Sequence, residues 1–131
     1  MGTKNYLQMF TNWLTLQMKS DFVREVVFYG DHFREFYQGL DKKAKLKVDW
    51  TINLLETVEF VPEKYFKHLS GTEGLYEIRV DFESNIYRFF SFFDAGKLIV
   101  AINGFQKKTN KTPKSEIEKA HKIKKQYFNE K

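Results

Sequence analysis

The sequence has no cysteine and, among 131 residues, only two prolines and seven glycines. Without cysteine, neither disulfide bonds nor thiolate chemistry is available, which fits a reducing compartment, so we expect a cytoplasmic location. So few prolines and glycines argue against a disordered or collagen-like chain. With 42% hydrophobic residues, the chain is long enough to bury one ordinary core.

The first residues are apolar in part but resemble neither a membrane span nor a signal peptide. Polar residues interrupt them and no small-residue cleavage site follows. Their aromatic and leucine residues fit one helical face. We therefore expect residues 1–17 to be an appendage, either an extra helix or the product of an upstream start, and residues 18–131 to form one domain.

The pattern of apolar residues predicts an α+β fold made of a strand, a helical hairpin, a three-stranded meander and a carboxy-terminal helix. Asp31 and Asp41 can cap the two hairpin helices, and Pro113 can open the last helix, with Ser115 and Glu118 as an alternative capping box. A long irregular connection, residues 59–74, precedes the meander. The predicted strands cover residues 22–29, 75–82, 86–93 and 98–103.

Two adjacent apolar rows on the second hairpin helix predict that it packs against the sheet. The rows are Val48, Ile52 and Leu55, and Leu46, Trp50 and Leu54. On the last helix the predicted buried face is Ile117, Ala120, Ile123 and Tyr127.

A two-residue turn after Phe82 would pair Asp81 with Arg88 and Arg79 with Phe90. One face of this hairpin would then be apolar, and the other would carry Glu77 and both arginines. The same counting through the next turn predicts that the third meander strand presents Leu98, Val100 and Ile102 to the core. It leaves Ile99, Ala101, Asn103 and Phe105 on the open face.

The net charge is +5, from 22 basic and 17 acidic residues. Three lysines, Lys107, Lys108 and Lys111, follow the third meander strand with no acid among them, at the edge of the face that holds Arg79 and Arg88. One guanidinium group can bind two oxygens of a phosphate at once, and lysines attract polyanions. The cluster therefore predicts a phosphodiester site. RNA carries its own nucleophile, the 2′-hydroxyl, so such a site can act by alignment, proton removal and charge stabilisation.

Further residues extend this hypothesis. Glu77 or His68 could carry a proton, and Phe105 could stack on a base. The three histidines are scattered, so no metal or other cofactor is expected. Simpler interpretations exist: a surface ion pair for an arginine beside a carboxylate, a solvated lead-in to the helix for the lysines, and a packing role for His68.

The segments "LYEIR", "YRFF" and "INGFQKKTNKTPKSEIEKA" resemble the phage-derived HigB-like toxins of the RelE and ParE superfamily, over about Phe22 to Phe128. The resemblance implies a RelE-like fold and metal-independent mRNA cleavage at the ribosome, in which the 2′-hydroxyl attacks the adjacent phosphate. It places Arg79 and Arg88 at basic active-site positions. Lys107 and Lys108 lie near the basic residue that follows the last strand.

The sequence departs from RelE at Glu77, where RelE has lysine, and it has no clear counterpart of the RelE tyrosine. The general base is therefore open among Glu77, His68 and Lys107. The implied partners are mRNA on the ribosome and a HigA-like helix-turn-helix antitoxin, with no membrane partner. The alternatives are a ParE-like, non-catalytic inhibitor of DNA gyrase and an inactive relative that binds RNA or antitoxin.

Overall fold

A computed structural model describes residues 22–131, and the predicted appendage at residues 1–17 lies outside the described residues. The described chain forms an α+β structure with the predicted order of helices and meander strands. Its elements are β1 (Glu25–Phe28), α1 (His32–Gln38), α2 (Lys42–Thr57), β2 (Phe66–His68), β3 (Tyr76–Phe82), β4 (Asn85–Phe93), β5 (Leu98–Lys107) and α3 (Lys114–Asn129).

The five strands form one sheet in the order β1-β5-β4-β3-β2. The pairs β2–β3, β3–β4 and β4–β5 are antiparallel, whereas β1 lies parallel to β5. The helical hairpin α1–α2 connects the two edge strands, because β1 precedes it and β2 follows it. The meander therefore occupies the centre of the sheet.

The helical hairpin covers one face of the sheet. Phe33 of α1 and the row Val48, Ile52 and Leu55 of α2 are buried against side chains of the meander. The phenyl rings of Phe33 and Phe89 lie with their centroids 4.6 Å apart. The second predicted row behaves differently, since Leu46 is 60% and Trp50 45% exposed.

The opposite face carries a second core beneath α3, which the sequence did not lead us to expect. Ala120 and Ile123 of α3 are buried there with apolar residues of β4 and β5. The strand residues of this second core are Phe90, Phe92, Val100, Ile102 and Phe105. The face predicted to be open is thus covered by a helix along much of its length.

The register predicted for the β3–β4 hairpin was wrong by two residues. Phe82 pairs with Asn85, so the turn is Glu83–Ser84, and Arg79 lies directly opposite Arg88. Glu83 adopts a left-handed conformation with φ 56°, as the first central residue of a tight hairpin turn requires. Because the slip is even, the predicted division of β3 and β4 side chains between the two faces is retained.

The faces predicted for residues 98–102 of β5 were inverted, whereas an irregularity between Phe89 and Ser91 of β4 returns Phe105 to its predicted face. Asp94 and Leu98 flank a three-residue loop in which Ala95 and Gly96 both have positive φ, and Phe93 therefore pairs with Ile99. One residue of difference in a turn moves every following side chain to the other face. Ile99 and Ala101 accordingly pack under the helical hairpin.

Some boundaries and caps of the helices and strands also differ from the predicted ones. The connection predicted to be irregular contains the short edge strand β2, and β5 continues to Lys107. Asp41 caps α2 by accepting a hydrogen bond from the Ala44 amide, as expected. The proposed capping box at the start of α3 does not form, since Pro113 is the N-cap and makes no side-chain cap.

The carboxy-terminal end of α3 is fastened to the β4–β5 turn. The Tyr127 hydroxyl donates to Asp94 Oδ2 at 2.5 Å, and the Lys131 ammonium donates to the same oxygen at 2.8 Å. The hydrogen bonds from Lys131 and Tyr127 hold the pKa of Asp94 below its usual value. This end of the helix is therefore held by a charged contact as well as by the second core.

Gly104 lies where β5 passes closest to aromatic rings, and it generates a test of the packing. A Cβ at this position would lie 2.6 Å from Phe89 Cδ1 and 2.9 Å from Phe36 Cδ2. We expect Gly104→Ala to lower the free energy of unfolding by about 1–3 kcal/mol, the usual cost of overpacking. Urea denaturation monitored by circular dichroism measures this.

Gly39→Ala is the matched control, because Gly39 has an ordinary φ of −78° and an added Cβ would meet its nearest atom at 3.5 Å. The control should keep or raise stability. Equal stability of the two variants would contradict the close approach at Gly104.

Candidate functional site

The candidate site lies at the end of the sheet where β5 ends and before α3 begins. Arg79 of β3 and Arg88 of β4 are direct cross-strand partners and share the face that α3 covers further along. Lys107 pairs with Ile86, which pairs in turn with Asp81, so Lys107 points to the same face. We call this surface the arginine face.

Arg88 is the most enclosed cation of the arginine face, with 7% of its surface exposed. Its Nη1 donates to Asp81 Oδ1 at 2.7 Å and to the Tyr87 carbonyl at 2.9 Å. Its buried Nε has no hydrogen-bond partner within the part of the chain that the structure describes. An unpartnered buried donor is costly, so Arg88 keeps one hydrogen-bonding capacity that the described residues do not satisfy.

Arg79 is more accessible, with 23% of its side chain exposed. Its Nε donates to Glu77 Oε1 at 3.3 Å, and its Nη1 donates to the Glu63 carbonyl at 3.3 Å. The second contact directs the guanidinium toward the edge of the sheet that carries β2. Arg79 and Arg88 thus approach one surface from neighbouring strands, one accessible and one enclosed.

Glu77 is 2% exposed and both of its carboxylate oxygens are occupied. Besides Arg79 on Oε1, the Thr112 hydroxyl donates to Oε2 at 2.9 Å. Residues 108–112 therefore start at the end of β5, in the row of Asp81, and reach β3 at Glu77. Because β4 lies between β5 and β3, they cross the strand that carries Arg88. We call residues 108–112 the lysine arch, because Lys108 and Lys111 are exposed on it.

Burial and four neighbouring charges shift the pKa of the Lys107 ammonium group. Burial lowers the pKa of its ammonium group below the ordinary value. The neighbouring charges act in both directions: Glu77 and Asp81 raise this pKa, while Arg88 and Arg79 lower it further. A lysine with a lowered pKa among arginines is able to exchange a proton nearer neutral pH than an exposed lysine.

Two of the predicted site residues are not presented on the arginine face, one because it lies on the other face and one because it is buried. His68 pairs with Tyr76 and its ring packs edge-on against the Tyr76 ring, 5.2 Å between centroids, on the face opposite Arg79. Phe105 pairs with Arg88 but is 7% exposed, with its ring 5.4 Å from Phe90 in the second core. The structure thus does not bring His68 into the cluster, and it buries the ring predicted to stack on a base.

Sequence reasoning missed two residues of this surface. Thr112 precedes the proline at the start of α3, and nothing in the sequence indicates that its hydroxyl donates to a buried acid. Lys67 lay in a segment predicted to be irregular, and β2 places it opposite Glu77. The two adjacent aromatic residues of "YFKHL", a residue type that favours strands, were the available signal.

The described residues contain neither a metal-binding cluster nor a membrane-spanning helix. Among residues 22–131, no group of three or more histidine, aspartate or glutamate side chains is placed to hold a metal ion. Within the same range, no helix is both long enough and apolar enough to cross a membrane.

The strand, helical hairpin, meander and closing helix define a RelE-like α+β fold. The family model described as "Phage derived protein Gp49-like (DUF891)" matches residues 22–125. The chain therefore belongs to the Gp49-like family of phage-derived proteins, a toxin-like family of the RelE and HigB type. Comparison with curated proteins gives no match.

Asp81 competes with any anion that binds Arg88, and this can be tested. Its carboxylate is 63% exposed, so its interaction with Arg88 is screened by solvent. We expect Asp81→Asn to tighten binding of inorganic phosphate about two- to fivefold, the effect of an interaction of up to ~1 kcal/mol. Titration followed by the arginine Nε–H signals in NMR spectra measures the change.

Glu83→Gln removes the same charge from the adjacent turn and should leave phosphate affinity close to that of the parent. Equal tightening in the two variants would show that net charge alone, and not the Asp81–Arg88 contact, governs anion binding.

Proposed function

We propose that the protein is the toxin of a type II toxin–antitoxin system and cleaves mRNA on the ribosome without a metal ion. The observation that carries this proposal is the direct pairing of Arg79 and Arg88 across two strands, with Lys107 beside them. Three cations, from β3, β4 and β5, lie on that one face of the sheet. Membership of a toxin-like family of RelE and HigB type supports the same function.

In the proposed reaction, the 2′-hydroxyl oxygen attacks the adjacent phosphorus and the bond to the 5′ oxygen of the next nucleotide breaks. A base removes the 2′ proton, the products are a cyclic phosphate and a free 5′-hydroxyl, and the leaving oxygen takes up a proton. Arg88 holds a phosphate oxygen, and Arg79 stabilises the charge that develops on phosphorus. The 2′-hydroxyl requirement restricts the substrate to RNA.

Among the three candidates for the general base, the geometry favours Lys107. Both oxygens of Glu77 already accept hydrogen bonds, from Arg79 and Thr112, so this carboxylate is committed to holding its neighbours. His68 lies on the other face of the sheet. Lys107 lies beside both arginines, and burial lowers its pKa, which increases the neutral amine available to accept a proton.

The proposed partners follow from the same surface. A HigA-like helix-turn-helix antitoxin would inhibit the toxin by covering the arginine face, and the ribosome would present the message to it. Lys108 and Lys111 on the lysine arch would attract the RNA backbone, because exposed lysines steer polyanions without fixing their geometry.

Arginine substitutions test the proposed function. We expect Arg79→Ala, and Arg88→Lys as a variant that keeps the buried charge, to slow cleavage of ribosome-bound message by roughly a hundredfold or more, because each removes a transition-state contact. Mapping of 5′ ends in a purified translation mixture measures the rate, and circular dichroism checks the fold.

Arg34→Ala is the control, since Arg34 is exposed on α1 and its one ion pair among residues 22–131 is with the exposed Asp31. Parent-like cleavage by both site variants would reject the catalytic assignment. Growth arrest that persists without cleavage would instead favour a ParE-like inhibitor of DNA gyrase.

The pH dependence of cleavage tests the general base. If neutral Lys107 accepts the proton, the rate should rise with pH while the ammonium form predominates and level off above its lowered pKa. Lys107→Met should slow the reaction roughly 10²- to 10⁴-fold and remove this rising limb. A Met variant that keeps the parent pH profile would assign the base elsewhere.

A further inference from the structure

The arginine face continues to the edge strand β2, where Lys67 lies. Lys67 pairs with Glu77, whose side chain contacts Arg79 and Thr112, so Lys67 points to the same side of the sheet. Its side chain is half-buried. Among residues 22–131 its ammonium group makes no ion pair within 4.0 Å, no hydrogen bond and no contact with an aromatic ring.

The cations of this face form a diagonal line across four strands. Lys67 of β2 is the cross-strand neighbour of Glu77 on β3. Arg79 and Arg88 form the row two residues further along β3, and Lys107 of β5 lies in the row of Asp81, two residues further again. With strands about 4.8 Å apart and a rise of about 3.3 Å per residue, the line is roughly 20 Å long. That length exceeds what a single phosphate needs and suits a short stretch of single-stranded nucleic acid.

An edge-strand lysine also has an ordinary explanation, because a charge on an exposed edge discourages pairing with other chains. That role requires only exposure to solvent on the open edge. It does not require a side chain on the face that carries both arginines, in line with three other cations, and with no partner in the described part of the chain. The two roles differ in what they predict for RNA binding.

We infer that Lys67 is the far anchor of an extended RNA-binding surface that runs from β2 across Arg79 and Arg88 to Lys107. The ligand is a single-stranded RNA of roughly four nucleotides, held by its phosphates at intervals along the line. This inference rests on the proposed function, because it assumes that the bond to be cleaved lies at the arginine pair. Lys67 itself contacts a phosphate away from the reacting atoms.

The test compares a short and a longer RNA that cannot be cleaved. The probes are a dinucleotide and a hexanucleotide with 2′-O-methyl groups, titrated into the full chain and followed by NMR at several salt concentrations. Lys67→Gln removes the charge and keeps a polar side chain on the edge strand. Lys97→Gln is the matched control, because Lys97 is exposed just before β5 begins, at the end of that strand away from Lys107.

We expect Lys67→Gln to weaken hexanucleotide binding about two- to fivefold and to reduce the magnitude of the salt slope by ~0.7, the value for one phosphate contact on a single strand. Dinucleotide affinity should match the parent, and Lys67→Arg should restore the hexanucleotide affinity. The control should leave both affinities unchanged.

Equal effects of Lys67→Gln and Lys97→Gln would overturn the inference and leave the arginine site untouched. An equal loss for the dinucleotide would also overturn it, since Lys67 would then act at the arginine pair. If the parent binds neither RNA, the inference fails, whereas the proposed function is judged separately by cleavage of ribosome-bound message, so the two failures are distinguishable.

Discussion

Arg79 and Arg88 face each other across two adjacent strands, a position in which like charges repel and destabilise a sheet. The surrounding residues offset this repulsion. Glu77 accepts from Arg79 and Asp81 accepts from Arg88, so each guanidinium has its own carboxylate. The two acids differ in burial, since Glu77 is enclosed and Asp81 is exposed. The acid of the Arg79–Glu77 pair is therefore shielded from solvent, whereas the acid of the Arg88–Asp81 pair is surrounded by it and its charge is screened.

The rest of the fold brings these charges to one place and keeps them near solvent. The helical hairpin covers one face of the sheet completely enough to form a core, and α3 covers the other face only beyond the arginines. A sheet with apolar cores on both sides is rigid, and a site built on its strands inherits that rigidity. The residues of the lysine arch are exposed by comparison. Fixed arginines beneath exposed lysines are a reasonable arrangement for a long, flexible polyanion.

The sequence predicted most of the secondary structure because local signals agree with the fold. Asp41 caps α2, the row Val48, Ile52 and Leu55 repeats at helical spacing, and the meander strands are rich in β-formers.

The sequence did not predict the faces of β5, because a three-residue loop and a two-residue loop differ by one residue and the composition of "DAGK" allows several turns. Nor could it place α3 on the second face, since that depends on tertiary packing. Arg79 and Arg88 lie on one face as predicted, because an even error in register leaves the faces unchanged. Lys107 reaches the same face because the irregularity between Phe89 and Ser91 offsets the one-residue error in the preceding turn. His68 was misplaced because β2 was not foreseen. Phe105 lies on the predicted face but is buried, because the second core was not foreseen.

The two ends of α3 are held very differently. Its far end combines a buried carboxylate, a phenol and an ammonium group, whereas the segment that leads into it is fastened to the sheet by the Thr112–Glu77 hydrogen bond. A hydrogen bond to a charged group contributes about 1.5–3 kcal/mol. The same carboxylate also accepts from Arg79, so a single buried acid joins the lead-in to α3 to one of the two paired guanidinium groups.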